Sequence, residues 1–145
     1  MYKNILIPLD GSKTAESVLP YARACAGKLG ANVELLAVAD VIDMARTVSA
    51  ADGLYLDQIL EGETHRLSDY LAQVAKSFTG VTVQPRLETG NAADAIIDTA
   101  VADKGTLVMV ATHGRSGVRR WVLGGVTETV VRHSGDPVLI VRAGT

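Results

Sequence analysis

The chain has 145 residues, of which 48% are apolar and 21% charged. This is enough apolar surface for the core of one domain, so a disordered protein is not expected. Fourteen Lys and Arg against sixteen Asp and Glu give a net charge of −2, and aromatic residues make up only 4%, which excludes both the basic balance of a nucleic-acid-binding protein and a base-stacking surface. Cys25 is the only cysteine, so an internal disulfide is excluded, and we expect a protein of the reducing cytoplasm.

Membrane insertion and export are not predicted. No apolar run approaches the roughly 18 residues that a membrane-spanning helix needs, and the opening Met1-Tyr2-Lys3-Asn4 leads into a short apolar run that Pro8 interrupts. We therefore expect neither a signal peptide nor a membrane anchor. Nothing in the chain suggests a second domain or an internal repeat, so residues 1–145 are predicted to form a single domain.

Apolar runs of strand length alternate with helical spacing along the chain. The strand-length runs are residues 5–7, 35–38, 107–110 and 138–141, with a weaker run at 81–83 before Pro85. Apolar residues at helical spacing lie between them, in residues 18–29, 60–78 and 93–100, and a further helix begins near residue 125. Since unbroken apolar strands are buried on both faces, this alternation predicts an α/β fold, an open doubly wound parallel sheet with helices on both sides.

The predicted helix boundaries carry recognisable signals. Gly30 follows the first helix and Gly80 the second, and Asn91 with Asp94 resembles a capping box at the start of the third. Pro20 lies inside the first helical pattern, and because the apolar spacing continues after it, we expect a kink there and not a helix end.

The loops that follow the strands are the places to look for a ligand, because open doubly wound sheets bind ligands beyond the carboxyl ends of their strands. Three loops qualify: Pro8-Leu9-Asp10-Gly11-Ser12, residues 38–40 and residues 111–125. Asp10 at a strand end could accept hydrogen bonds from ribose hydroxyls. It could equally begin an Asx turn or help to cap the first helix, and the sequence leaves both interpretations open.

The loop of residues 111–125 is the most informative segment. It combines four glycines, three arginines and the start of a helix. Glycines let backbone N–H groups approach a ligand, and a helix start offers unpaired N–H donors, so a phosphate could lie on Gly124-Gly125-Val126. The alternative is a glycine-rich turn with solvated arginines.

Several better-known signatures fail on this chain. Gly11-Ser12-Lys13-Thr14 ends like a phosphate-binding P-loop but lacks both of its glycines, and Gly114-Arg115-Ser116-Gly117 has its second glycine one residue too early for a nucleophile elbow. His65, His113 and His133 lack partners at metal-ligand spacing, and we interpret them as structural or surface residues. No catalytic residue and no metal ligand is predicted.

Four segments together resemble the universal stress protein family over essentially the whole chain. They are residues 3–12, 36–40, Thr112-His113-Gly114-Arg115-Ser116-Gly117, and Asp136-Pro137-Val138-Leu139-Ile140-Val141. The resemblance implies a flavodoxin-like five-stranded sheet, also described as adenine nucleotide alpha hydrolase-like, of strand order 3-2-1-4-5. In the nucleotide-binding branch it implies a motif of Gly, two residues, Gly, nine residues, Gly, then Ser or Thr.

This chain departs from that motif at two positions. Ala111 stands where the first glycine belongs, and Gly125 stands where the Ser or Thr belongs. Gly125 keeps the backbone N–H donor but removes one hydroxyl, so nucleotide binding is expected to be weakened and not abolished. We also expect Glu128 to act as a capping-box partner of Gly125.

The resemblance also assigns roles to individual residues. Asp10 would hold the ribose, and the adenine would lie among apolar residues at the strand ends. The phosphates would lie along the glycine-rich loop and the helix start. The implied cofactor-binding residues are Pro8, Leu9, Asp10, Val38, Val110, Ala111, Gly114, Arg115, Gly124, Gly125, Val126 and Thr127.

The leading hypothesis is a small stress-response protein that binds ATP, with or without Mg²⁺, as a ligand or switch, with at most very slow hydrolysis. The alternative is a member of the same family that binds no nucleotide and acts through protein contacts alone. We expect a homodimer through Val138-Leu139-Ile140-Val141, since this apolar strand would lie at a sheet edge, and a downstream protein partner that the sequence does not identify.

Overall fold

The computed structural model describes residues 1–41, 44–45, 56–113 and 125–143. Within these ranges strands and helices alternate, with the second helix following the first after a short break. The elements are β1 (Asn4–Pro8), α1 (Lys13–Glu16), α2 (Leu19–Leu29), β2 (Asn32–Ala39), α3 (Leu56–Ala75), β3 (Val83–Thr89), α4 (Ala92–Ala102), β4 (Thr106–Thr112), α5 (Gly125–His133) and β5 (Val138–Arg142).

The five strands form one parallel sheet of order β3-β2-β1-β4-β5. β1 lies at its centre and pairs with β2 along its whole length, from Asn4 opposite Asn32 to Pro8 opposite Leu36. The predicted fold class and strand order are therefore confirmed. Among the described residues, no helix combines the length and the apolar character needed to cross a bilayer.

Each face of the sheet has its own apolar core. Ile5 and Ile7 of β1 belong to the larger cluster, which includes Leu71 of α3, whereas Leu6 belongs to a second cluster with Ile96 of α4 and Val130 of α5. This division follows from the strand repeat of two, which sends successive side chains to opposite faces. The three β1 residues are at most 1% exposed, as expected for a central parallel strand.

Two prolines behave differently from the sequence prediction. Pro20 does not kink a continuous helix: it lies in the first turn of α2, after α1 has ended at Glu16. A proline there costs nothing, because the first N–H groups of a helix have no intrahelical acceptor. The predicted strand before Pro85 is also shifted, since β3 runs through Pro85, which a sheet edge permits because one side of the strand needs no hydrogen bonds.

The predicted helix boundaries at Gly30 and Asn91 are confirmed. Gly30 ends α2 in the left-handed region, with φ of 61°, and its N–H donates to the Ala26 carbonyl. The Asn91 side chain caps α4 by accepting a hydrogen bond of 3.0 Å from the N–H of Asp94. These local interactions fix where α2 and α4 begin or end, and thereby where the adjoining strands begin.

The same substitution at two glycines should have opposite effects on stability. Gly30→Ala places a side chain at positive φ and should lower the free energy of unfolding by about 1 kcal/mol. Gly27→Ala, inside α2, should raise it by up to about 1 kcal/mol through helix propensity. At neither position would an added Cβ meet an atom of the described residues within 4 Å, apart from the adjoining backbone, so steric clashes do not confound the comparison. Chemical denaturation measures the change in the free energy of unfolding for both variants. If both changes had the same sign, the left-handed cap at Gly30 would be contradicted.

Candidate functional site

A cleft opens where β1 and β4 separate at the carboxyl edge of the sheet. Their ladder ends at the pair Leu6–Val108. Beyond it β1 continues beside β2, and β4 continues beside β5 as far as Thr112 opposite Arg142. β2 and β3 add to one side of β1, whereas β4 and β5 add to the other side. The gap between β1 and β4 is therefore the switch point at which doubly wound folds bind ligands.

The inner part of the cleft is a largely apolar cavity of about 190 Å³. Three strands (β1, β2 and β4), three helices (α1, α4 and α5) and the loop after β1 form its walls. Its lining residues are Pro8, Leu9, Asp10, Ala15, Leu36, Val38, Ala92, Ile96, Val110, Ala111, Val126, Thr127 and Val130.

The outer part of the cleft is more polar than the inner cavity and has a volume of about 310 Å³. It shares Asp10, Ala15, Ala111, Val126 and Thr127 with the inner cavity, so the two parts adjoin. Its lining residues are Asp10, Ser12, Thr14, Ala15, Ala111, Thr112, His113, Gly125, Val126 and Thr127. A ligand that is apolar at one end and polar at the other would match this arrangement.

The structure brings together the predicted cofactor-binding residues that it describes. Eight of them line the inner cavity: Pro8, Leu9, Asp10, Val38, Val110, Ala111, Val126 and Thr127. Gly125 lines the outer part. Gly114, Arg115 and Gly124 lie outside the described residues. The binding role of all twelve stays a prediction.

Sequence reasoning missed other lining residues. Leu36 could have been found, because it lies two residues before Val38 and so faces the same side of β2. Ile96 belonged to a recognised helical pattern, but no local signal says which part of that helix lies over the cleft. Thr112 and His113 were assigned to the glycine-rich loop without a role, and both line the outer cleft.

The Asp10 loop is held by its own hydrogen bonds. Asp10 Oδ1 accepts a hydrogen bond of 2.9 Å from the N–H of Ser12, and Ser12 Oγ accepts one of 3.1 Å from the N–H of Ala15 at the start of α1. The Asx turn that the sequence allowed is therefore present. It does not exclude a second role, because a carboxylate has about four acceptor positions and Asp10 is exposed at the cleft.

α3, which covers the face of the sheet opposite α4 and α5, lies close to this loop. An added Cβ at Gly11 would lie 3.2 Å from a guanidinium nitrogen of Arg66, which also pairs with Glu63 at 2.6 Å. That hydrogen bond lowers the pKa of Glu63.

The Tyr70 hydroxyl of α3 donates a hydrogen bond of 3.0 Å to Glu16 of α1. Burial and this interaction with Glu16 raise the pKa of Tyr70.

Glu128 does not form the predicted capping interaction with Gly125. Gly125 already belongs to α5, and the Glu128 carboxylate accepts hydrogen bonds from Arg132 one turn later, at 3.0 and 2.9 Å. The expected capping box is therefore wrong. Because Arg132 offsets the charge of Glu128, this carboxylate opposes an anion at the start of α5 less than an unpaired one would.

Comparison with known proteins agrees with this geometry. The model of the universal stress protein family matches residues 1–142. The chain belongs to the universal stress protein family. It is 28% identical over 142 residues to universal stress protein MJ0531 of Methanocaldococcus jannaschii, a match that covers 98% of this chain and 83% of the relative. The solved structure of hypothetical protein MJ0577 has a TM-score of 0.83 at 26% identity, covering 100% of this chain and 99% of that one.

Two solved structures of the family are complexes with adenine nucleotides. One universal stress protein contains cAMP; it is 20% identical, has a TM-score of 0.67, and the match covers 99% of this chain and 98% of that one. Another, from Archaeoglobus fulgidus, contains dAMP; it is 21% identical with a TM-score of 0.61, covering 97% and 98%. At these identities the likeness to this chain concerns the fold.

Tyr70 provides a pH test of the contact between α3 and α1. Because its pKa is raised in the folded state, its contribution to stability is complete below the unfolded value of about 10 and is lost as the pH rises through the folded value. We therefore expect the free energy of unfolding to fall more steeply above pH 10 in the unmodified protein than in Tyr70→Phe.

The matched control for this test is Tyr21→Phe, because Tyr21 is 56% exposed. This variant should keep the pH dependence of the unmodified protein. Denaturant titrations at several pH values from 8 to about 11 measure the slopes. If Tyr70→Phe kept the unmodified slope, the pKa of Tyr70 would not be raised in the folded protein, and neither its burial nor its contact with Glu16 would have the expected effect.

Proposed function

We propose that this protein binds an adenine nucleotide in the cleft between β1 and β4, and that ATP is the ligand, held as a switch and not used as a substrate for group transfer. The observation that carries the proposal is an apolar cavity that adjoins a more polar cleft, and this cleft ends at the start of α5. The polarity of a nucleotide increases in the same direction, from adenine through ribose to phosphate.

The apolar cavity suits the base. Val38 and Val110 come from strands on either side of β1, and Ile96 and Val130 close the cavity from α4 and α5. A flat aromatic base gains free energy by leaving water for such walls. Backbone groups at the strand ends can then hydrogen-bond the base edge, which favours adenine over guanine when the side chains offer no polar partner.

The polar part of the cleft suits the ribose and phosphates. Asp10 lines both parts, and its carboxylate could accept hydrogen bonds from the ribose hydroxyls, since the ribose would lie between base and phosphates. The start of α5 at Gly125, Val126 and Thr127 lines the outer part, and the first N–H groups of a helix have no intrahelical acceptor and carry a partial positive charge. Mg²⁺ would arrive with the phosphates. Among the described residues, no group of three or more His, Cys, Asp or Glu could hold a metal ion.

The family relatives that contain cAMP and dAMP support the class of ligand. The competing function, protein contacts without a nucleotide, is favoured by Ala111 and Gly125 at the two altered motif positions. We prefer the nucleotide-binding function because the described residues form a cleft at this place despite these changes. The free Cys25 thiol agrees with the proposed cytoplasmic location.

Calorimetric titration of the purified protein tests the proposal. We expect ATP to bind with a dissociation constant between micromolar and millimolar, and GTP more weakly. No heat and no chemical-shift change at several millimolar ATP would leave protein contacts as the function.

Restoring the motif hydroxyl should tighten binding. An added Cβ at Gly125 would meet no atom of the described residues within 4 Å, so Gly125→Ser fits the helix start. Its hydroxyl can contact a phosphate, and we expect ATP affinity to rise by up to about 1 kcal/mol, the net scale of one hydrogen bond. Gly125→Ala is the control, since it changes helix propensity without adding a hydroxyl. Equal affinities for the two variants would place the phosphates away from this residue.

We also propose that the protein is a homodimer through β5. The two edges of the sheet differ in chemistry. β3 is guarded by Pro85 and by Arg86, which pairs with Glu34 at 3.2 Å and Glu88 at 2.8 Å. β5 has neither Pro nor Lys between Val138 and Val141, and an apolar edge of this kind invites pairing with another strand. Antiparallel pairing with the β5 of a second copy, across a two-fold axis, would cover it.

A charge in β5 should disrupt this dimer. Leu139 is half-buried, and Leu139→Asp should reduce the mass measured by light scattering from twice 15.2 kDa to that of a monomer. Val101→Asp is the control, because Val101 is 60% exposed on α4 and away from β5. Circular dichroism separates dissociation from unfolding. A monomer mass for the unmodified protein at micromolar concentration would refute the dimer.

A further inference from the structure

The outer edge of β3 has an open cleft on each face of the sheet. On one face, α3 and Leu87 line a cleft of about 600 Å³. On the other face, α4 lines a cleft of about 350 Å³ together with Arg86, Glu88 and Thr89 at the end of β3. The β3 edge and these two clefts form one surface, which we call the β3 groove. It shares no lining residue with the nucleotide cleft.

The backbone groups of β3 alternate between β2 and the outside of the sheet. The Thr82 carbonyl accepts a hydrogen bond of 2.8 Å from β2 just before the strand, and the Gly90 N–H donates one of 3.0 Å to β2 just after it. In a parallel ladder every second residue of an edge strand bonds to its neighbour, so the even-numbered residues from 82 to 90 pair with β2. The odd-numbered residues, among them Leu87 and Thr89, point their N–H and carbonyl groups to the side where β3 has no neighbouring strand.

Pro85 is one of these outward residues. Because proline has no N–H, it removes a donor from the free edge without disturbing the ladder with β2. Pro85 protects only the first half of the strand, since the outward groups of Leu87 and Thr89 lie beyond it. A long strand laid along β3 would meet Pro85, whereas a short segment beside residues 86–89 would not.

The β3 groove carries an excess of negative charge. Asp94 and Asp98 line its α4 side; both are exposed, and neither forms an ion pair within the described part of the chain. Glu61 lines its α3 side. Arg86, the only guanidinium among the described lining residues, is already engaged in two ion pairs, at 3.2 and 2.8 Å. The groove therefore favours a cationic partner over an acidic one.

The spacing of the two aspartates matches that of an extended chain. Asp94 and Asp98 are four residues apart on α4, which places them about 6 Å apart along the helix. Alternate residues of a strand face the same side and are about 6.6 Å apart. Two cationic side chains at alternate positions of an added strand can therefore each face one aspartate.

We propose that the β3 groove binds a partner protein through a short extended segment that carries Lys or Arg at alternate positions. The segment pairs its backbone with the outward groups of Leu87 and Thr89, which supplies affinity, and points its cations at Asp94 and Asp98, which supplies specificity. A second copy of this chain fits poorly, because its own β3 edge carries Pro85 and the same negative charge. β3 and β5 are opposite edges of the sheet, so the groove stays accessible in the proposed dimer.

Capped heptapeptides test the proposal by NMR titration of the isotope-labelled protein. One peptide alternates Lys and Thr, and a second alternates Glu and Thr. Two further peptides repeat the first with methylated backbone nitrogens, either at every Lys or at every Thr. Since alternate N–H groups of a strand point to opposite edges, only one of these two peptides has its methyl groups against β3.

We expect the Lys–Thr peptide to shift the amide signals of residues 86–89 and of the groove residues on α3 and α4, and to leave those of residues 138–142 in place. The Glu–Thr peptide should not bind. One methylated peptide should lose affinity by about tenfold or more, because its backbone hydrogen bonds to β3 are blocked, while the other stays within about twofold.

Variants of the protein test both halves of the contact. Asp94→Asn and Asp98→Asn should each weaken binding of the Lys–Thr peptide by about two- to fivefold at low salt. Asp103→Asn is the matched control, since it removes the same charge from an exposed residue at the end of α4 that does not line the groove. Thr89→Pro should weaken binding by about tenfold because it removes an outward N–H, and Thr89→Val, which keeps that N–H, should not.

Circular dichroism checks that Thr89→Pro is folded, and the methylated peptides test the same backbone contact in the unmodified protein. No binding of the Lys–Thr peptide at several millimolar, or equal binding of the Glu–Thr peptide, would overturn the proposal. Equal affinities of the two methylated peptides would exclude strand addition, and shifts confined to residues 138–142 would place the peptide on β5. If Thr89→Pro lowered the mass of the protein alone in light scattering, the occupant of the groove would be a second copy of this chain.

Discussion

β1 is paired on both sides, but its two partners leave it at different points. The ladder with β2 extends to Pro8, whereas the ladder with β4 ends at Leu6. β4 then follows β5, and the sheet splits at its carboxyl edge. The crossovers determine this geometry, because β1, β2 and β3 extend the sheet in one direction, whereas β4 and β5 extend it in the other. The cleft is thus a consequence of strand order.

The split also determines the chemistry of the cleft. In the inner cavity, α4 and α5 present apolar side chains, because these helices pack against one face of the sheet and bury it. At the edge, the same α5 presents its N-terminus, and β1 ends in the acidic loop at Asp10. An apolar interior and a polar rim therefore arise from elements that would be needed for folding alone. Two altered motif positions remove one hydroxyl from this rim and leave its backbone donors in place.

Much of the fold could be predicted from the sequence, because burial on both faces leaves unbroken apolar runs and β1, β2, β4 and β5 all carry one. β3 was misplaced because it lies at an edge: Gln84, Pro85 and Arg86 are exposed and show no apolar pattern. Pro20 was misjudged because apolar spacing continues across the break between α1 and α2, and spacing alone does not show where a new helix starts.

Prediction of the candidate site was uneven for a physical reason. Pro8, Asp10 and Val110 lie at strand ends, where the rule for doubly wound sheets points directly. Ile96 and Val130 reach the cleft from helices distant in the chain, and only the three-dimensional packing assigns them there. Thr112 lies in a recognised segment, but the sequence does not show which residues of that segment line the cleft, because this depends on the folded surroundings.

A crystal structure of the protein grown with saturating ATP would test the central claim most directly. The account predicts an adenine ring in the cavity between Val38 and Val110, the ribose beside Asp10, and phosphates at the start of α5. A nucleotide bound elsewhere on the protein, or a cleft without nucleotide at saturating ATP, would contradict it.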